Sequence, residues 1–234
     1  MIARYFVTTI IMLLPGAMRI PAQKQIAQSL TVDFPANGSV IVQARERIGR
    51  FPEIRLVSKQ SGKVLLRRTI ADGEGWLKPR ANAGQDVQPF LRFRVVRPKG
   101  LAGPCILAVA VRPGGSDNAF YGILISEIQG RLSVLTRSPA FTNIQGGFYF
   151  GRLSEKLGLG FASWNFVWGA DEAHYAKHRY RVEIFCLQDG RLVKTKTHLS
   201  RRRYSGNGVA SLRELGIFAM DQRVGIPDVK GYLE

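Results

Sequence analysis

Two histidines and two carboxylates cluster in one short segment of the chain, at Asp171, Glu172, His174 and His178. Histidines four residues apart on a helix can ligate one metal ion, and a carboxylate can complete the ligand set. The four residues are therefore a candidate site for calcium or a transition metal, although no cofactor is the expectation for this chain. The alternative is a loop held by local polar bonds, because the segment joins two predicted strands and lacks the His-Glu-x-x-His order of metalloproteases.

Other motifs of catalytic chemistry are missing from the sequence. The chain contains no Gly-x-Ser-x-Gly elbow, no phosphate-binding loop and no dinucleotide fingerprint. The sequence therefore favours a non-catalytic protein. The alternative is a secreted hydrolase, metal-dependent or not, that uses the 171–178 segment.

The chain carries a large excess of positive charge. It has 34 Lys and Arg against 17 Asp and Glu, a formal net charge of +17. The basic residues concentrate in 45–68 and in 177–203, which ends in Arg201, Arg202 and Arg203. Such charge attracts polyanions, so we predict that these three arginines bind an anion. The alternative is that the basic side chains only solvate strand faces.

The N-terminal segment has the pattern of a secretory signal. A basic start is followed by an apolar run, Tyr5–Leu14, and by the helix breaker Pro15, and the run is too short to span a bilayer. We expect residues 1–22 to be a signal peptide and the protein to be secreted or periplasmic. The expected partner is then an anionic envelope or extracellular polymer. Nucleic acid is not favoured, because no recognition motif for it is found.

The rest of the chain repeats a hairpin pattern. Three pairs of alternating apolar and polar runs are joined by turns that contain Gln and Gly, with the turn glycines at Gly62, Gly130 and Gly190. The run 105–111 is apolar throughout, which is typical of a strand covered on both faces. In the matching run 161–168, alternate residues form an aromatic stripe that is interpreted as core, with a carbohydrate-stacking platform as the alternative.

These patterns predict a single β-rich domain over 23–234. Its repeated units are expected at about 40–70, 86–140 and 145–204. Ser211 and Glu214 form a capping box, which predicts a helix over about 211–221. The fold class is therefore all-β, with antiparallel four-stranded propeller-like or sandwich-like units and one short C-terminal helix. The two cysteines, Cys105 and Cys186, are interpreted either as buried thiols or as one disulfide.

A family resemblance rests on the units at 86–204, and above all on the segment from Trp164-Asn165-Phe166-Val167-Trp168 to His178-Arg179-Tyr180. This arrangement resembles uncharacterised bacterial exported proteins with FG-GAP-like, integrin-type β-propeller blades. The resemblance implies an exported repeat protein that presents loops to a partner. The Asp-x-Asp-x-Asp-Gly calcium loop of that family is not found in this sequence. Too few units are present to close a propeller, so sheet edges must be covered by other means, of which self-association is one.

Overall fold

The computed structural model describes residues 29–82, 84, 88–98, 100–114, 118–170, 172–173, 176–206 and 208–217. The expected signal peptide, residues 1–22, lies outside these residues. The described chain is all-β, as predicted, with three antiparallel sheets and one short C-terminal helix. None of the described helical residues belongs to a helix with the length and hydropathy needed to cross a bilayer.

The first sheet contains four strands in sequence order, each hydrogen-bonded to the next. The strands are β1 (Ser29–Phe34), β2 (Gly38–Arg47), β3 (Arg50–Ser58) and β4 (Val64–Thr69). One face is apolar and buried, as the alternation in β2 shows: Val40, Val42 and Ala44 point inward. This unit is larger than the predicted 40–70 unit because β1 adds a strand ahead of it.

The second sheet has the same order and one additional strand. It consists of β5 (Phe90–Val96), β6 (Cys105–Arg112), β7 (Ala119–Ile128), β8 (Arg131–Val134) and β9 (Ala140–Asn143). Strands β8 and β9 pair with different parts of β7. The third sheet is formed by β10 (Gly147–Ser154), β11 (Gly158–Val167), β12 (Arg179–Gln188) and β13 (Arg191–Leu199).

The three sheets are stacked, with the second sheet in the middle. Ile106, Ala108 and Ala110 of β6 pack in the core shared with the first sheet. The alternate residues Leu107 and Val109 pack in a second core, shared with the third sheet. The prediction that 105–111 is covered on both faces is therefore confirmed. It also explains why this strand has no polar alternation.

The predicted hairpin turns form as expected. Gln129-Gly130 and Asp189-Gly190 are two-residue turns in which both residues have positive φ, between 48° and 75°. Two positive φ angles define the type I′ turn, whose twist matches that of the flanking strands. Glycine adopts this conformation without steric cost, which explains its position in each turn.

Carboxylates connect the first sheet to the second. Glu127 of β7 accepts hydrogen bonds from the backbone N–H of Ala36 (3.0 Å) and from the side chain of Asn37 (2.7 Å), in the β1–β2 turn. Glu46 of β2 accepts one from the N–H of Leu91 in β5 (2.8 Å). Burial raises the pKa of Glu46, against the effect of that hydrogen bond. These hydrogen bonds fix the relative position of the two neighbouring sheets.

The outer face of the third sheet is covered by the C-terminal segment. Trp164 and Phe166 of the aromatic stripe and Tyr180 pack against Leu212 and Ile217, so the core interpretation is confirmed for these positions. Trp168 lies beyond the strand and is 51% exposed.

The C-terminal helix differs from the prediction. It is a 3₁₀ helix over Val209–Leu215 that begins after Gly208, so Ser211 lies inside it and the predicted capping box is wrong. The Glu214 side chain points instead to residues 198–204. Glu214 therefore makes tertiary contacts instead of capping the N-terminus of its own helix. Residues 218–221 of the predicted helix lie outside the described residues.

The two cysteines are free thiols. Cys105 is buried in the core between the second and third sheets, and Cys186 packs on the opposite face of the third sheet. A layer of protein therefore separates them, which decides between the two interpretations. Burial raises the pKa of Cys105 to about 11, so its thiol stays protonated at neutral pH.

The two-sided burial of β6 can be tested by substituting consecutive residues. We expect Ile106→Ala and Leu107→Ala each to lower the free energy of unfolding by about 2–5 kcal/mol, because each opens a cavity in a different core. The matched pair lies on β2, which has one exposed face. There Val42→Ala should destabilise, whereas Gln43→Ala should change stability by less than about 0.5 kcal/mol. Urea unfolding measures all four, and a small effect at either β6 position would contradict the stacked arrangement.

Candidate functional site

The structure brings together two of the four predicted metal ligands, Glu172 and His178. The Nδ1 atom of His178 lies 2.7 Å from the Glu172 carboxylate, which also accepts a hydrogen bond from the N–H of Gly169 (3.1 Å). Arg203 donates a further bond to the same carboxylate. The hydrogen bonds from His178 and Gly169 lower the pKa of Glu172. The cluster joins the loop after β11 to the segment that follows β13.

The His178 ring is enclosed by aromatic side chains. It stacks on Phe166 with 4.7 Å between ring centroids, meets Trp168 edge-on at 5.5 Å, and is completely buried. A substrate cannot reach this ring without opening the cluster, so the geometry does not favour its use as a catalytic base. The arrangement matches the interpretation of a loop held by polar bonds.

The metal hypothesis at Asp171, Glu172, His174 and His178 stays a prediction. Asp171 and His174 lie outside the described residues. Within the part of the chain that the structure describes, no three acidic, histidine or cysteine side chains are grouped closely enough to hold a metal ion.

The predicted anion-binding residues Arg201, Arg202 and Arg203 lie in a loop held by carboxylates. The backbone N–H groups of Arg201 and Arg202 donate to Glu214, at 2.8 and 3.1 Å. The Arg203 guanidinium contacts Glu172, although more than half of its side chain is exposed. The loop therefore presents exposed cations to solvent, while the carboxylates of Glu214 and Glu172 hold it in place.

Glu214 is the centre of that anchor. It also accepts hydrogen bonds from Tyr204 Oη (2.8 Å) and contacts Nε2 of His198 (2.8 Å). Burial alone would raise the pKa of Glu214, but the hydrogen bonds outweigh it and lower the pKa to about 2. The carboxylate stays charged down to strongly acidic pH and fixes the C-terminal segment on the third sheet.

A larger group of cations lies on the outer face of the first sheet. It surrounds a shallow depression of about 410 Å³, and we call it the arginine face. The register places Arg55 of β3 beside Arg67 of β4 and places Arg45 of β2 beside Glu53. Its cations are Arg45, Arg47, Arg50, Arg55, Arg67 and Lys78.

One carboxylate, Glu53, lies within the arginine face. Its oxygens are 2.5 Å from Nε of Arg55 and 3.6 Å from Nε of Arg67. Desolvation acts to raise the pKa of Glu53, but the hydrogen bond and the charges of these arginines lower it. Lys78 lies over the ring of Phe51, 4.7 Å from its centroid. These contacts hold several side chains in place while leaving a strong excess of positive charge.

The sequence contained a signal for the arginine face. Segment 45–68 is one of the two basic concentrations, and Arg45 and Arg55 occur on strands with alternating burial. The register needed to place them side by side comes only from the β2–β3 and β3–β4 pairing. Sequence reasoning had therefore favoured the contiguous Arg201–Arg203 run instead.

Comparison with known proteins identifies no relative. No protein-family model matches the chain, and no curated protein sequence matches it. The resemblance to FG-GAP-like proteins stays a prediction.

The Glu214 anchor predicts a specific loss of stability in acid. Because the pKa of Glu214 falls from 4.5 to about 2 on folding, its contribution is complete above about pH 4.5 and is lost as the pH falls toward 2. We expect Glu214→Gln to cost about 2 kcal/mol at pH 6, a value reduced for solvent screening, and almost nothing at pH 2. Urea unfolding between pH 2 and 6 measures this.

The matched variant is Glu155→Gln, since Glu155 is an exposed residue of the β10–β11 turn. It should leave the wild-type pH profile unchanged. A Glu214→Gln penalty that is equal at pH 2 and pH 6 would show that the carboxylate charge is not what anchors the segment.

Proposed function

We propose that this protein is an exported, non-catalytic β protein that binds an anionic polymer of the cell envelope or the extracellular space. The observation that carries the proposal is the arginine face, where six cations surround one carboxylate on an exposed sheet surface. A protein does not gather like charges at one place without a cost from their mutual repulsion. An anionic partner removes that cost on binding.

The geometry of the face suits an extended polymer better than a single small ion. Neighbouring strands in a sheet are about 4.8 Å apart, so cations on β2, β3 and β4 form a row that crosses the strands. Such a row can contact successive charged units of one chain. Arginine also forms two parallel hydrogen bonds with a phosphate or carboxylate group, so it selects these anions by geometry as well as by charge.

The Arg201–Arg203 loop is the second contact region in the proposal. Its backbone is fixed by Glu214 and Glu172, and the Arg201 and Arg202 side chains are exposed. We expect this loop to contribute less than the arginine face, because it has three cations and the arginine face has six.

Binding of long-chain polyphosphate and of a carboxylated polysaccharide tests the proposal. We expect the variant with Arg45→Gln, Arg50→Gln and Arg67→Gln to bind about tenfold or more weakly, at about 0.5–1 kcal/mol per exposed ionic contact. We also expect wild-type affinity to fall steeply between about 50 and 300 mM salt, because salt screens exposed charges. Fluorescence titration measures both effects.

The matched control carries Arg152→Gln, Lys156→Gln and Lys196→Gln, three exposed cations of the third sheet. It removes the same charge and should bind nearly as wild type. Arg201→Gln with Arg202→Gln should have an intermediate effect. An equal loss of affinity in the control and arginine-face variants would show that net charge, and not the arginine face, determines binding. An affinity that does not change with salt would refute the proposal.

A further inference from the structure

A cleft separates the second and third sheets at one end of the stack. The sheets are joined there by a hydrogen bond from the N–H of Leu192, at the start of β13, to the carbonyl oxygen of Leu135 (2.8 Å). A cleft of about 870 Å³ lies beside this joint. Sites for small ligands are typically about 300–1,000 Å³, so the cleft has the size of a binding site.

The rim of the cleft is basic. Arg137 follows β8, Arg191 and Lys194 belong to β13, and Arg68 reaches over from β4 to donate a hydrogen bond to the carbonyl oxygen of Arg137 (3.2 Å). Among the described residues that line the cleft, Glu183 is the one acid, and it already pairs with Lys194 at 3.1 Å. Within the described chain, neither Arg137 nor Arg191 takes part in a salt bridge. The rim therefore offers two guanidinium groups to an anion.

The floor of the cleft is apolar. It includes Leu135 and Leu192, which are almost completely buried, and the ring of Phe185, which packs against Phe161 at 5.8 Å between centroids. Pro139, which is partly buried, lines the cleft as well. An apolar chain lying along this floor would cover surface that water now reaches, and its burial would be favourable.

We propose that this cleft binds an amphipathic anion, in which a phosphate or carboxylate head group is joined to a single hydrocarbon chain. The guanidinium groups of Arg137 and Arg191 bind the head group, and the hydrocarbon chain lies along Phe185 and Pro139. A purely ionic ligand would leave the floor exposed, and a neutral apolar ligand would leave both arginines without a partner. The site is separate from the arginine face and does not depend on the proposed polymer binding.

Octyl phosphate, below its micelle-forming concentration, is the probe. We expect isothermal titration calorimetry to show one site per chain, at least tenfold tighter than for inorganic phosphate, which lacks the chain, and for octyl glucoside, which lacks the charge. Octanoate, in the same series, shows whether a carboxylate head group is also accepted. Equal binding of octyl glucoside, or no binding of either anionic probe, would overturn the proposal.

Variants locate the site. Arg137→Gln with Arg191→Gln should weaken octyl phosphate binding at least tenfold, whereas the control pair Arg152→Gln with Lys156→Gln should not. Phe185→Leu should weaken octyl phosphate binding without changing that of inorganic phosphate. The arginine-face triple variant should bind octyl phosphate normally, which separates this result from the polymer experiment. Unchanged affinity in the Arg137 and Arg191 variant, with its unfolding temperature also unchanged, would refute the assignment.

Discussion

The central strand of the middle sheet, β6, has no face that water can reach, and this constraint determines the arrangement of the other layers. Successive residues of β6 belong to two different cores, so the strand needs an apolar layer on each side. The first and third sheets supply those layers. The outer face of the third sheet is apolar in turn and is covered by residues 204–217, whereas the outer face of the first sheet is polar and ends the stack.

The few carboxylates of this basic protein connect its parts. Glu127 and Glu46 join the first sheet to the second, and Glu172 and Glu214 fix the segments around the third sheet. In most of these contacts the carboxylate accepts backbone N–H groups that would otherwise lack a partner, a role that a cation cannot fill. Because the acids are used in this way, the basic side chains at the surface are left largely uncompensated. The strong positive charge of the surface follows from the architecture as well as from composition.

The two proposed binding regions use the excess of positive charge differently. On the arginine face the cations lie across an exposed sheet, which suits a long partner held by many weak contacts. In the cleft the cations surround an apolar floor next to the Leu135–Leu192 joint.

The sequence by itself determined the strands, the type I′ turns and the two-sided burial of β6, because these follow from local periodicity and from the backbone preferences of glycine. It also brought Glu172 and His178 to attention as neighbours. It did not predict that Ser211 lies inside the C-terminal helix, since Glu214 finds its partners across the fold in residues 198–204. Nor could it place Arg55 beside Arg67, or Arg137 and Arg191 at the same cleft. Those pairs depend on strand register and sheet stacking, which only the tertiary structure decides.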